Sequence, residues 1–200
     1  MFTTRFKKAL VANLGDKVVF QKKWSVKRRG AWRGEGKLPV ALLLHHTAAA
    51  ATESTSPSAA GNQKGANNNV IRFIQTHYAV PAANFTLDRD GTVYVHSVFP
   101  VWHAGKGSFK GKSPWDGFSI PDDMGNDYML GVEIMSKGRK KDFTLAQRRS
   151  LDLLQEACGV ACRWPERKRK ATVRHPRHKD WTTRKIDILY EQSEVNKWMN

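Results

Sequence analysis

No run of 18 consecutive apolar residues occurs in this 200-residue chain, so no segment reads as a membrane-spanning helix. Residues 1–20 are basic but lack a continuous apolar core, which speaks against a Sec-type leader. The expectation is synthesis in a cytoplasm, with any export left to another agent. Cysteine is scarce. Cys158 and Cys162 lie four apart, where a helix puts them on one face and badly aimed to bridge. A C-x3-C pair alone is a weak metal signal, so buried free thiols are expected. Acids are few as well, 18 against 34 Lys and Arg, for a net charge of +16. The imbalance is local: residues 1–37 hold 11 basic against 2 acidic side chains, and residues 163–185 hold 10 against 2. Such patches favour polyanions, whether nucleic acid, anionic membrane or anionic wall polymer, or are simply solvated surface. No zinc-finger spacing, basic-leucine heptad or RNA-recognition signature accompanies them, which argues against a specific nucleic-acid partner.

What is present is the material of one globular domain. A hydrophobic fraction of 40%, with seven Trp and nine Phe, argues against disorder, and 200 residues suffice for one core. Residues 1–37 read as a basic N-terminal extension or added substructure, and residues 38–200 as the main domain. Residues 38–44 form a short apolar run ending in His45, the pattern of a buried central strand. Residues 48–69, rich in Ala, Ser, Thr, Gly and Asn, read as a long surface loop whose length implies a function. Val70, Ile71, Phe73, Ile74, His77 and Tyr78 recur at helical spacing, predicting a helix that stops before Pro81. Residues 85–87 and 92–95 flank Asp90-Gly91, which predicts a hairpin. Residues 105–125 read as loop. Residues 130–135 predict a second apolar strand carrying one acid, Glu133.

Thr144 with Gln147 makes a capping box opening a helix whose inner face is expected to hold Leu145, Leu151, Leu154, Cys158 and Cys162. Residues 172–174 suggest another strand, and residues 186–199 a short C-terminal helix. Strands and helices alternate around one core, so the class is α/β or mixed α+β.

Chemistry concentrates in residues 177–187, where His178, Lys185 and Asp187 share one short polar loop. With the upstream pair His45-His46, they supply parts for a zinc site that leaves one coordination position open. His45 closes a buried strand, where sites form on sheets. If His45 faces the site, strand alternation turns His46 to the other side. A lone acid in an apolar strand, as Glu133 is, must face a pocket or suffer several kcal/mol of burial cost.

In their order and spacing these stretches resemble the zinc-dependent N-acetylmuramoyl-L-alanine amidase family, which includes phage endolysins, cell-wall recycling amidases and peptidoglycan recognition proteins. The resemblance rests on residues 44–48 (Leu-His-His-Thr-Ala), Asp88-Arg89-Asp90-Gly91-Thr92-Val93, Trp102-His103-Ala104-Gly105, residues 126–133 with Gly131-Val132-Glu133, Phe143-Thr144 with Gln147, and residues 178–187 with Arg184-Lys185. It runs over roughly residues 38–188. It implies a single domain with a central mixed β-sheet flanked by helices, and one zinc ion per chain held by His45, His178 and Asp187. His175 competes with His178, but lies twelve residues before Asp187, further than the family's loop usually runs. The resemblance makes Glu133 the acid–base residue and Lys185 the stabiliser of the oxyanion. His103 would touch the substrate or the developing oxyanion, with Trp102 and Asn126 beside it as substrate-binding residues. Trp102 and Trp181 suit either the substrate cleft or the core.

Some phage members carry a Tyr-His pair before the hairpin strand. Here Ala83 and Asn84 stand there, so the tyrosine's role is absent and the chain leans on Glu133. His77 and His96 match no family role and read as structural. The implied partner is bacterial peptidoglycan, with anionic wall polymers as candidates for the basic segments. The implied setting is a monomeric endolysin that reaches the wall once the membrane is opened. The alternatives are a peptidoglycan-binding module without catalysis and, further off, a basic nucleic-acid binder.

Overall fold

The computed structural model describes residues 2–47, 68–76, 78–115, 119–136, 142–166, 169, 171 and 174–198, with the backbone alone at 68 and 69. Most of the expected surface loop at 48–69, together with His77 and the pair Thr172-Val173, lies outside the described residues. The elements run α1 (Phe2–Leu14), β1 (Val18–Phe20), β2 (Ala41–His46), α2 (Asn68–Thr76), β3 (Phe85–Leu87), β4 (Val93–Val95), α3 (Gly125–Tyr128), β5 (Met129–Ile134), α4 (Leu145–Ala161), α5 (His178–Trp181) and α6 (Gln192–Trp198). This is the mixed α/β class expected. The strands form one five-stranded sheet in the order β1-β4-β3-β5-β2. Only the β3–β4 hairpin is antiparallel; β1–β4, β3–β5 and β5–β2 are parallel.

The hairpin forms where the Asp-Gly pair predicts it. Gly91 sits at φ +87°, a backbone region L side chains avoid, and the Asp90 carboxylate accepts from the N–H of Thr92 at 2.8 Å. The Thr144 capping box is present in both halves: Thr144 Oγ1 accepts from the Gln147 N–H, and Gln147 Oε1 accepts from the Thr144 N–H, each at 3.0 Å. Leu151, Leu154, Cys158 and Cys162 are buried as the helical spacing requires, and both cysteines are free thiols. Leu145 departs from the expectation. It is 61% exposed, because the first residue after the cap points off the end of the inward stripe. No described helix is long and apolar enough to cross a membrane.

Period-two alternation gives the sheet two different faces. Leu42 and Leu44 of β2, Leu130, Val132 and Ile134 of β5, Phe85 and Leu87 of β3, and Val93 and Val95 of β4 all join one apolar core. Phe6, Ala9, Leu10 and Leu14 of α1 and Leu151, Leu154, Ala157, Cys158 and Ala161 of α4 cover it. Residues 2–37 therefore place a helix in the principal core and an edge strand on the sheet. Arg5 Nε donates to the Ala161 carbonyl at 2.7 Å, satisfying a helix-end acceptor. Each fully buried Phe or Leu of α1 contributes about 1.5–3 kcal/mol.

The other face begins with Ala41, Leu43 and Met129, packed under Ala104, Phe109, Trp115 and Trp181. It ends in polar residues. Parallel register sets His45 beside Glu133 and Glu133 beside Thr86, and the antiparallel hairpin sets Thr86 beside Tyr94.

Candidate metal centre and active site

The loop that carries His178 is tied to β2 before any ligand chemistry is considered. The Leu44 N–H donates to the Pro176 carbonyl at 2.8 Å, and Leu44 and Arg177 form an isolated parallel bridge. Arg177 clamps Asp180 at both carboxylate oxygens, at 2.8 and 2.6 Å, and also donates to the Tyr190 carbonyl at 2.8 Å. The loop then closes on itself where the Lys179 N–H meets the Asp187 carbonyl at 2.6 Å. These contacts bring residues 178 and 187 back against the end of β2.

Three donor atoms converge there. His45 Nδ1 and His178 Nδ1 lie 2.9 Å apart, His178 Nδ1 lies 3.1 Å from Asp187 Oδ2, and His45 Nδ1 lies 3.5 Å from the same oxygen. All three residues are buried, and they form the one group among the described residues whose donor atoms suit a shared metal ion. Tetrahedral ligation at about 2.0–2.2 Å puts donors roughly 3.3–3.6 Å apart, and the observed spacings come close enough for one small cation to draw the three donors together. The proton positions fit too. A metal ion on His178 Nδ1 would leave the ring proton on Nε2, which lies 3.1 Å from the Ala104 carbonyl, an acceptor. His175, the competing histidine, is buried elsewhere with Nε2 3.0 Å from Asn196 Oδ1.

The electrostatics separate these groups. Burial raises the Asp187 carboxyl, but the adjoining His178 and His45 rings outweigh it and hold the group well below the usual carboxylate range. Burial, with His178 next, pushes His45 down to about 4. Glu133 moves the opposite way. Burial, then the Asp187 charge, raises it to about 8 against the pull of Lys185. Its Oε2 is buried without a hydrogen-bond partner, an expensive placement for a carboxyl unless a reacting group engages it.

An open cleft of about 1470 Å³ exposes this cluster. That exceeds the ~300–1,000 Å³ of small-molecule pockets and suits an extended substrate. His45, His178, Asp187, Glu133, Lys185, His103, Trp102 and Asn126, the eight residues singled out from the sequence, all line it. Trp102 is 45% exposed, with the Arg29 guanidinium 4.0 Å from its ring centroid, whereas Trp181 is fully buried against Phe109. The two tryptophans thus divide between cleft and core. By strand parity His46 belongs to the opposite face, yet at the strand end it also borders the cleft, and both its ring nitrogens are unpartnered.

Asn126 Oδ1 accepts from the backbone N–H groups of His103 and Ala104, both at 2.8 Å. His103 Nε2 faces the Met129 carbonyl at 2.8 Å and His103 Nδ1 faces His45 Nε2 at 3.3 Å. A Cβ at Gly131 would lie 2.5 Å from the His103 ring, so glycine is what gives that ring its seat. Asn84, standing where the tyrosine pair is missing, is committed to backbone: it takes the Gly131 N–H and donates to the Ser97 and Phe99 carbonyls. His96 is buried against Thr86, with Nε2 2.8 Å from Oγ1, and burial keeps it neutral at about 3. Sequence reasoning missed the Arg177–Asp180 clamp, the Ala104 and Met129 carbonyls, and Arg29. Backbone acceptors leave no trace in residue type. Gly131 beside Glu133 was the one readable hint.

A mixed sheet with a polar cleft at the ends of its parallel strands defines an α/β protein, one whose cleft carries three convergent donors that could hold a metal ion. Residues 35–188 match the family model for N-acetylmuramoyl-L-alanine amidase, and the chain belongs to that family. Among solved structures, a selenomethionine derivative of AmpD aligns at TM-score 0.55 and 17% identity, over 91% of this chain and 99% of that one. A mutant endolysin from Bacillus subtilis aligns at TM-score 0.53 and 18% identity, over 92% and 98%. At these identities the likeness is one of fold. Curated proteins give no significant match.

Proposed function

We propose that the chain is an endolysin-type peptidoglycan hydrolase that cleaves the amide between N-acetylmuramic acid and the L-alanine of the stem peptide, with one zinc ion held by His45, His178 and Asp187. The convergence of those three donors in an open cleft carries the reading. Zinc in such a site acidifies a water towards a pKa of ~7 and polarises a carbonyl. Glu133, on the same sheet face as His45 and next to it in register, takes the proton of the attacking water and passes it to the leaving amine. Its raised pKa suits the acid half of that cycle. Lys185 lines the cleft and acts electrostatically on both Glu133 and His45, which supports a role for its ammonium in offsetting negative charge on the carbonyl oxygen. Trp102 offers an aromatic wall to the substrate, and Asn126 shapes the loop beneath it.

The setting we favour is release to the wall after the membrane has been opened, the chain acting as a monomer. Exposed Lys7, Lys8, Lys22, Lys23 and Arg28 would add affinity for anionic wall polymer. Deleting residues 1–37 does not test that role cleanly, because Phe6, Leu10 and Leu14 would leave the core with them. Replacing the exposed lysines by glutamine does. Wall binding at low salt should weaken while turnover of a soluble muropeptide holds, and equal loss of both removes the role.

Mass spectrometry of digested wall tests the bond. New free N-termini on L-alanine are expected; new reducing sugar ends or internal stem-peptide cuts would overturn the assignment. Zinc-loaded protein that binds muropeptide and releases nothing would make the chain a binding module.

A further inference from the structure

A neutral imidazole carries one proton, so the ring nitrogen that faces a carbonyl must be the donor. His103 Nε2 faces the Met129 carbonyl at 2.8 Å, which leaves His103 Nδ1 as an acceptor. That acceptor meets His45 Nε2 at 3.3 Å, with the two rings at 89° to each other. His45 therefore carries its proton on Nε2 and presents a bare Nδ1 to His178 and Asp187. One residue further on, the Ala104 carbonyl does the same for His178 through its Nε2. Both residues belong to a single turn of chain whose two N–H groups are gathered on Asn126 Oδ1.

We propose that His103 is a positioning residue: with the Ala104 carbonyl, and anchored by Asn126, it fixes the tautomer and ring orientation of both histidine donors. The proposal rests on reading His45, His178 and Asp187 as a metal site. It gives His103 a task other than the substrate contact that the family resemblance implied. Its reach is specific. Gly131 vacates the space that the His103 ring fills, and Met129, two residues before it on β5, supplies the carbonyl that orients the ring.

The test is zinc affinity of the full chain, measured by competition with a chromophoric chelator. His103→Leu should weaken zinc binding by about 10–100-fold. His103→Asn, whose side-chain oxygen falls near the lost Nδ1, should recover most of that loss. Asn126→Ala should weaken zinc similarly, and Asn126→Asp, which keeps an acceptor for both N–H groups, should not. Nitrogen-15 spectra of the metal-free imidazoles supply an independent readout: His45 should be the Nε2–H tautomer in the parent and mixed in His103→Leu. If His103→Leu binds zinc as tightly as the parent and only its KM rises, His103 acts on substrate and the inference fails. If His103→Asn is as weak as His103→Leu, the acceptor role fails. If the parent itself takes up no zinc, the metal site fails and this inference with it.

Discussion

Leu44 and His45 are neighbours in one strand, and the fold gives them opposite tasks. Leu44 faces α1 and α4 among purely apolar partners, fully buried. His45 faces the cleft, where Glu133 and Thr86 continue its row across the sheet. The same strands thus carry a dry face and a reactive one, separated by the thickness of one pleat. The strand residues of the dry face present hydrocarbon to the core, whereas the reactive face carries Glu133, whose Oε2 is buried without a hydrogen-bond partner. Stability and chemistry are written on alternate residues, which makes them separable by substitution.

Substitutions on each face should show that separation, and the largest effect belongs to the reactive face. Asp187→Ala should abolish clearing of purified wall and reduce bound zinc, by metal analysis, while the melting temperature of metal-free protein changes little. Next comes Glu133→Gln, expected to slow turnover by about 10²–10⁴-fold with zinc content intact. Retained turnover in that variant would remove Glu133 from the reaction. On the dry face, Leu44→Ala should cost about 2–5 kcal/mol in urea unfolding. It should leave zinc per folded molecule unchanged. A large loss of zinc affinity there would show that the faces are coupled.

A pH effect follows in size. In metal-free protein Glu133 is raised from 4.5 to about 8, so the folded state favours its neutral form. The stabilisation this supplies is complete below about pH 4.5 and is lost as pH rises through 8. Urea midpoints taken with a chelator at pH 6 and pH 9 should therefore fall for the parent and fall less for Glu133→Gln. The smallest effect is expected at Leu145, whose exposure puts Leu145→Ala within about 0.5 kcal/mol of the parent.

Much of this architecture was legible because alternation and capping are local signals. The apolar runs ending at His45 and around Glu133 became adjacent parallel strands, and Asp90-Gly91 became the hairpin turn. Composition around residues 1–37 showed charge and hid packing. Its exposed lysines dominate the count, whereas Phe6, Leu10 and Leu14, spaced along one helix face, tie it into the core. The donor types were readable as parts of a metal site, but the choice among the histidines came through the family resemblance, since their approach depends on the Arg177–Asp180 clamp and on backbone carbonyls. The main-chain partners of His103 and Asn126 left no trace in residue type beyond the space at Gly131.

The two parallel pairings that complete the sheet, β1 with β4 and β2 with β5, join segments far apart in the chain, and the donors come from positions 45, 178 and 187. A ribosome adding about 5–20 residues per second needs on the order of ten seconds to pass from the first donor to the last. Until then the nascent polypeptide has no complete centre. On the proposed reading, a chain released before residue 187 would lack the third donor and should neither hold zinc tightly nor clear purified wall.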